Sequence, residues 1–143
     1  KKLTWLSMDC LNSAGAYLKS QKDSVLLTTN LTAQIPVIDL GITTETANKA
    51  ETQKKIDDTN LRLTAAKAKL AAAVSDADKK AYTSAVSAWT SAARLYTSQL
   101  NKITLNIRKL EAAKLAATTQ PAQLKADVDN TKANAKLICT KGF

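Results

Sequence analysis

An apolar repeat with alternating spacings of four and three residues runs through residues 78–117. Its positions are Tyr82, Val86, Trp89, Ala93, Tyr96, Leu100, Ile103, Ile107, Leu110, Lys114 and Ala117. Every position except Lys114 is apolar. A repeat averaging 3.5 residues over this length is typical of a long helix that presents a narrow apolar seam to partner helices. We therefore predict an all-α fold with coiled-coil-like packing.

Composition supports long helices joined by short connections. The chain has 143 residues, of which 45% are hydrophobic, 3 are Gly and 2 are Pro. This length suits one domain with one core, and so few turn-forming residues leave little room for loops. We expect residues 1–143 to form a single domain, an elongated antiparallel bundle of three to four long helices.

Four helical segments are predicted. The first covers residues 3–31, where Trp5 and Tyr17 widen a stripe made of Leu11, Ala14, Leu18, Gln21, Val25 and Thr28. The second covers residues 44–74, with Thr44 as its N-cap and a repeat at Ile56, Thr59, Leu63, Ala66, Leu70 and Ala73. The third is the repeat of residues 78–117. The fourth begins near Pro121 and continues the spacing at Leu124, Val128, Thr131, Ala135 and Ile138.

The apolar stretch 35–42 is predicted to be an extended strap. Proline disfavours helical backbone in the residue before it, and Pro36 and Gly41 therefore interrupt helix formation on either side of this stretch. A solvated loop would be less apolar. The strap either fills the core between helices or offers a sticky edge to a partner through Ile35, Pro36, Val37, Ile38 and Leu40.

The only two cysteines, Cys10 and Cys139, lie near opposite ends of the chain. In a bundle with an even number of helices the two ends meet. We therefore predict a Cys10–Cys139 disulfide, which would close a loop of about 130 residues and stabilise the fold by roughly 4–5 kcal/mol. Such a bond indicates an oxidising compartment: the periplasm, the cell surface or the extracellular space.

Two predicted turns are candidate partner surfaces. Ser75 and Asp76 precede the third helix, where Ser75 and Asp78 have the spacing of an acidic capping box. Thr118 and Thr119 stand before Pro121 at the predicted end of that helix. The partner would be another protein or a second copy of the chain.

The net charge of +9 has two interpretations. Scattered lysines solvate the outer faces of long helices, which needs no ligand. Alternatively, the cations of the central helix bind an anionic polymer, with Arg94, Lys102, Arg108 and Lys109 as candidate residues. Nucleic acid is the less favoured partner, because the chain has no reader motif and its Trp and Tyr residues lie on the seam.

No pattern of catalytic residues is found. The chain contains no histidine, which removes the commonest general base and transition-metal ligand. Two cysteines alone do not make a zinc site, and no phosphate-binding glycine motif occurs. We expect no enzyme activity, no cofactor and no metal. Asn30-Leu31-Thr32 is a candidate glycosylation site at Asn30.

No run of 18 or more apolar residues occurs, so no membrane span is expected in this chain. The first residue is Lys1, which is compatible with a removed leader or anchor. These observations favour an extracytoplasmic structural or protein-binding module, such as a surface, adhesin, receptor-like or appendage subunit. The alternative is a cytoplasmic basic coiled coil that binds nucleic acid or another anionic polymer.

Overall fold

The computed structural model describes residues 8–139, and in that range the chain forms two long α-helices. Helix α1 spans Met8–Ala72 and helix α2 spans Asp76–Ile138. They have 65 and 63 residues and pack against each other as a helical hairpin. The all-α class is confirmed, whereas the prediction of three to four helices is wrong. The predicted first helix start near residue 3, Trp5 and the terminal Gly142 and Phe143 lie outside the described residues.

The structure divides into two compact units. One, which we call the turn unit, is Leu40–Glu111. The other, which we call the disulfide unit, contains the residues up to Asp39 and those from Ala112 onward.

In the turn unit, the seams of both helices follow the predicted repeats. On α1 the buried residues Ile56, Thr59 and Ala66 alternate with half-buried Leu63 and Leu70. On α2 the repeat from Tyr82 to Leu110 is half-buried at every position: Tyr82, Val86, Trp89, Ala93, Tyr96, Leu100, Ile103, Ile107 and Leu110. These positions are the ones at which heptad packing places side chains between two helices.

The connection between the helices in the turn unit is short and capped. The backbone N–H of Asp78 donates to Ser75 Oγ at 3.1 Å, and Lys79 N–H donates to the Ser75 carbonyl oxygen at 3.0 Å. Ser75 is therefore the N-cap of α2 and satisfies a donor that the first turn of a helix leaves unpaired. The predicted cap is confirmed.

The predicted strap at residues 35–42 is wrong, because this stretch is part of α1. Ile35 and Ile38 are half-buried at the seam of the disulfide unit, while Pro36 and Val37 are exposed on its outside. The proline ring therefore does not obstruct the packed face. Thr44 is also inside α1, so it is not an N-cap.

The predicted break after residue 117 is absent, since Thr118, Thr119 and Pro121 lie inside α2. The hydroxyls of Thr118 and Thr119 both donate to the carbonyl oxygen of Leu115, at 2.9 and 2.8 Å. Thr29 makes the same kind of bond to Val25 at 2.8 Å. Threonines that bond to their own helix do not have to compete with it by forming turns, which is why these residues fail to end the helices.

The core is thin throughout the described residues. Six hydrophobic residues are buried: Cys10, Ile56, Ala66, Ala117, Ala135 and Cys139. Three polar ones join them: Ser13, Thr52 and Thr59. Within residues 8–139 no large side chain is fully buried. Most seam side chains thus remain partly in contact with water.

Candidate interaction surfaces

The cysteine pair lies where the two helix ends of the disulfide unit meet. The Cα atoms of Cys10 and Cys139 are 5.0 Å apart, and the structure joins their sulfur atoms in a disulfide. Both residues are only 6% exposed. The predicted pairing is confirmed as a pair at disulfide distance, and it is what an oxidising compartment would permit.

In addition to the disulfide, polar contacts link the two helices of the same unit. Ser20 Oγ and Thr131 Oγ1 are 2.7 Å apart, and Lys114 Nζ is 2.7 Å from Asp39 Oδ1. Lys114 was the only charged position in the predicted seam of residues 78–117, and the ion pair explains how it is accommodated. Because both side chains are nearly half exposed, this pair contributes at most about 1 kcal/mol.

The five residues of the predicted strap do not form one surface. Ile35 and Ile38 are half-buried on the packed side of α1. Pro36, Val37 and Leu40 are exposed, the last two by 71% and 67%. The remaining exposed side chains are those of a helix surface.

Of the two predicted turns, one is present. Ser75 lies between the helices, Asp76 begins α2, and both are exposed next to Val74, which is 88% exposed. Thr118 and Thr119 are exposed on α2 but belong to a continuous helix.

A basic face runs along α2 in the turn unit. Arg94, Lys102, Arg108 and Lys109 are all exposed. At 100° per residue they point away from the seam. No Asp or Glu occurs between Lys79 and Leu110. The predicted cations therefore lie on one side of one helix.

Two aromatic residues of the α2 seam carry cations from α1. The guanidinium of Arg62 lies 5.2 Å from the Trp89 ring centroid, and Lys55 Nζ lies 5.9 Å from that of Tyr96. Arg62 also pairs with Asp58 at 3.0 Å. The cations are seven residues apart, as are the rings, so these contacts repeat with the heptad. The cations occupy the flat ring faces on which nucleic-acid bases would stack.

Helix α1 carries a second apolar stripe, which lies away from α2. Leu11, Leu18 and Val25 were predicted to face the core, yet they are 54%, 62% and 65% exposed. The packed residues are their neighbours, such as Cys10, Tyr17 and Thr28. We call the exposed set the outer stripe, consisting of Met8, Leu11, Gly15, Leu18, Val25 and Leu26. The signal for it was two interleaved heptad repeats on one helix.

By length and composition, α1 contains one stretch that could cross a membrane. Its 18-residue window has a mean hydropathy of 1.4, and none of the window is buried. This stretch, residues 25–42, is not an uninterrupted apolar run, because Asn30, Gln34 and Asp39 lie within it. A signal sequence or membrane anchor would have this character.

Asn30, the candidate glycosylation residue, is exposed on α1. Within residues 8–139 no group of three or more His, Cys, Asp or Glu side chains is placed to hold a metal ion.

Comparison of the chain with protein-family models, curated proteins and solved structures finds no match.

Proposed function

We propose that this chain is a non-catalytic, extracytoplasmic structural or protein-binding module, such as a surface, adhesin, receptor-like or appendage subunit. The observation that carries the proposal is the Cys10–Cys139 pair at the meeting of the two helix ends. In a reducing compartment such a pair would persist as two thiols.

The thin core supports the same proposal. With six buried hydrophobic residues, five of them Ala or Cys, burial of apolar area contributes less than in an ordinary domain of this mass. A bridge that closes a loop of about 130 residues adds roughly 4–5 kcal/mol, a large part of the 5–15 kcal/mol typical of folded domains. The stability of a fold with this core thus depends strongly on the disulfide.

The distribution of side chains supports binding more than catalysis. The chain has no histidine, and the bonded cysteines offer no thiolate nucleophile. By contrast, the outer stripe of α1 exposes large apolar side chains such as Leu11, Leu18 and Val25. Exposed apolar side chains that form a patch mark interaction surfaces.

The test is the intact mass of protein from its native source, alkylated without reductant under denaturing conditions. The proposal predicts a monomer mass with no added alkyl groups, because both sulfurs are engaged within one chain. Alkylation of Cys10 and Cys139 in most molecules would overturn the extracytoplasmic assignment. A reduced and alkylated sample provides the control that both residues react when freed.

A second candidate function is supported by the basic face of α2. Arg94, Lys102, Arg108 and Lys109 would attract an anionic polymer, and the affinity would fall steeply with salt concentration. This function needs no disulfide and fits a cytoplasmic chain equally well.

Its test compares two quadruple variants with the same change in charge. One replaces Arg94, Lys102, Arg108 and Lys109 with Gln. The control replaces four other cations with Gln, namely Lys49, Lys54, Lys67 and Lys69, which are exposed on α1 in the same unit. Binding to a fluorescent DNA duplex that is lost only in the first variant supports a site on α2. Equal losses in both variants would reduce the effect to net charge and remove this candidate.

A further inference from the structure

We propose that the outer stripe of α1 is the contact surface for a second copy of this chain. The proposal rests on the proposed function as a protein-binding module and names the partner. It begins from the geometry of the disulfide unit, in which α1 uses one side for α2 and, among residues 8–139, has a second apolar side that no other part of the chain covers.

The outer stripe has the spacing of a helix-packing seam. Met8, Leu11, Gly15, Leu18 and Val25 follow steps of three and four residues, with Lys22 at the intervening position. At 100° per residue the stripe lies well over a right angle away from the α2-facing side. A second heptad seam on one helix is typical of helices that contact two neighbours.

The surface of the stripe allows close approach by another helix. A Cβ added at Gly15 would meet nothing within 4 Å, so its backbone is open to a neighbour. A shallow groove next to it is lined by Leu18, Gln21, Lys22, Val25, Leu26 and Thr29. The stem of Lys22 can cover apolar surface while its ammonium group reaches water.

The exposed area of the chain leaves room for such a contact. Its accessible surface is 10,460 Å² for a mass of 15.3 kDa. Size scaling of folded monomers gives about 7,100 Å² at this mass. The excess is larger than the roughly 800 Å² that each partner buries in a standard interface. The chain as a whole therefore exposes more surface than a compact monomer of its mass, by more than one partner's share of a standard interface.

Charge favours self-association at this place over binding to an anionic surface. Residues 8–39 contain Lys19 and Lys22 against Asp9, Asp23 and Asp39, although the whole chain carries +9. Two copies that meet through this stretch avoid the repulsion between the basic parts of the chain. Helices that bind anionic lipid instead carry many Lys and Arg residues on their polar face.

The flanking charges also fit a two-fold arrangement. In a symmetric dimer each patch meets an identical copy of itself. An antiparallel pairing of two α1 helices centred near Gln21 would place Lys19 of each copy opposite Asp23 of the other. This arrangement gives two equivalent attractive pairs beside the apolar contact, while the two Lys22 stems lie near its centre and their ammonium groups must extend outward to water.

The test is the mass of the full, oxidised chain by sedimentation equilibrium between about 1 and 100 μM. We expect a dimer with a dissociation constant on the order of 10 μM or lower. Leu18→Glu places a carboxylate in the contact twice, and we expect it to raise that constant by about 100-fold or more. The matched control is Leu61→Glu, since Leu61 is 72% exposed on α1 in the turn unit, and it should leave the constant within about two-fold.

Three results would overturn the proposal. One is a wild-type monomer at 100 μM, and another is a dimer that Leu18→Glu leaves intact. The third is a monomer that binds vesicles of neutral phosphatidylcholine and loses that binding in Leu18→Glu, which would assign the stripe to lipid. Circular dichroism of each variant controls for folding. Failure of this proposal leaves the alkylation test of the proposed function unaffected.

Discussion

At the scale of single residues, the two glycines of α1 have opposite surroundings. A Cβ at Gly15 would meet nothing within 4 Å, whereas one at Gly41 would lie 3.3 Å from Leu110 Cδ1. Glycine weakens a helix interior by about 1 kcal/mol relative to alanine. Gly15 therefore carries this cost without a packing benefit from α2, while Gly41 permits the two helices of the turn unit to approach closely.

We predict that Gly15→Ala raises the free energy of unfolding by about 0.5–1 kcal/mol, through higher helix propensity and a less flexible unfolded chain. Gly41→Ala should gain less than Gly15→Ala, or lose stability, because the Leu110 side chain must move. Urea unfolding of both variants at a concentration where the wild type is monomeric provides the comparison. An equal gain at both positions would contradict the close approach at Gly41.

At the scale of elements, the main feature is the continuity of α1 through Pro36. An interior proline lacks the N–H that would donate to the carbonyl four residues earlier, and its ring crowds that carbonyl. The cost is about 3 kcal/mol in an otherwise regular helix. Here Pro36 lies on the exposed side, so the packed side of the disulfide unit keeps Ile35 and Ile38 in register.

Replacement of this proline tests the continuity directly. We expect Pro36→Ala to stabilise the chain by about 2 kcal/mol, since the restored hydrogen bond exceeds the entropy returned to the unfolded state. Thermal and urea unfolding measure the change, with Val37→Ala as a neighbouring exposed control. Unchanged or lower stability in Pro36→Ala would be the behaviour of an extended strap.

The helical class and the turn-unit seams were predictable, because heptad spacing there coincides with large apolar residues such as Ile56 and Trp89. The continuity of the helices was not predicted, because the helix ends were inferred from the local conformational preferences of proline and threonine. The missing signal was phase: Leu31, Ile35, Ile38 and Ile42 continue one repeat across Pro36, and Ala117, Pro121 and Leu124 continue another.

The outer stripe was missed for a different reason. Leu11, Leu18 and Val25 are more hydrophobic than the residues that pack, among them Ser13, Ser20 and Thr28. A prediction that assigns the most apolar positions to the core therefore selects the wrong side of α1. Only the packing of α2 identifies which of the two stripes is internal.

At the scale of the whole molecule, the Cys10–Cys139 pair was predicted correctly, because an even number of helices brings the two cysteines together, but the predicted number of helices was wrong. The prediction assumed four helical segments, with an extended strap at residues 35–42. The structure needs only one short turn, because 65 and 63 residues make two helices of nearly equal length. Two is also an even number, so Cys10 and Cys139 meet without a strap.

Loss of the bridge should be the most damaging change tested here. We predict that the double variant Cys10→Ala, Cys139→Ala lowers the free energy of unfolding by about 4–5 kcal/mol, because its unfolded chain is no longer closed into a loop. Urea unfolding of the oxidised wild type, the reduced wild type and the double variant measures the effect. The reduced wild type and the double variant should have similar free energies of unfolding. A decrease of less than about 1 kcal/mol relative to the oxidised wild type would contradict the stabilising role of the disulfide.

The Cys10–Cys139 bond also determines how the molecule would respond to mechanical force. A pull applied to the two ends of the chain passes from Cys10 to Cys139 through two sulfur atoms, and the 129-residue separation between them carries no tension. The helices would keep their hydrogen bonds at loads that straighten an unbridged hairpin. A chain tethered on one side of the bridge and loaded on the other would therefore extend only through residues outside the bridge, until the bond is reduced.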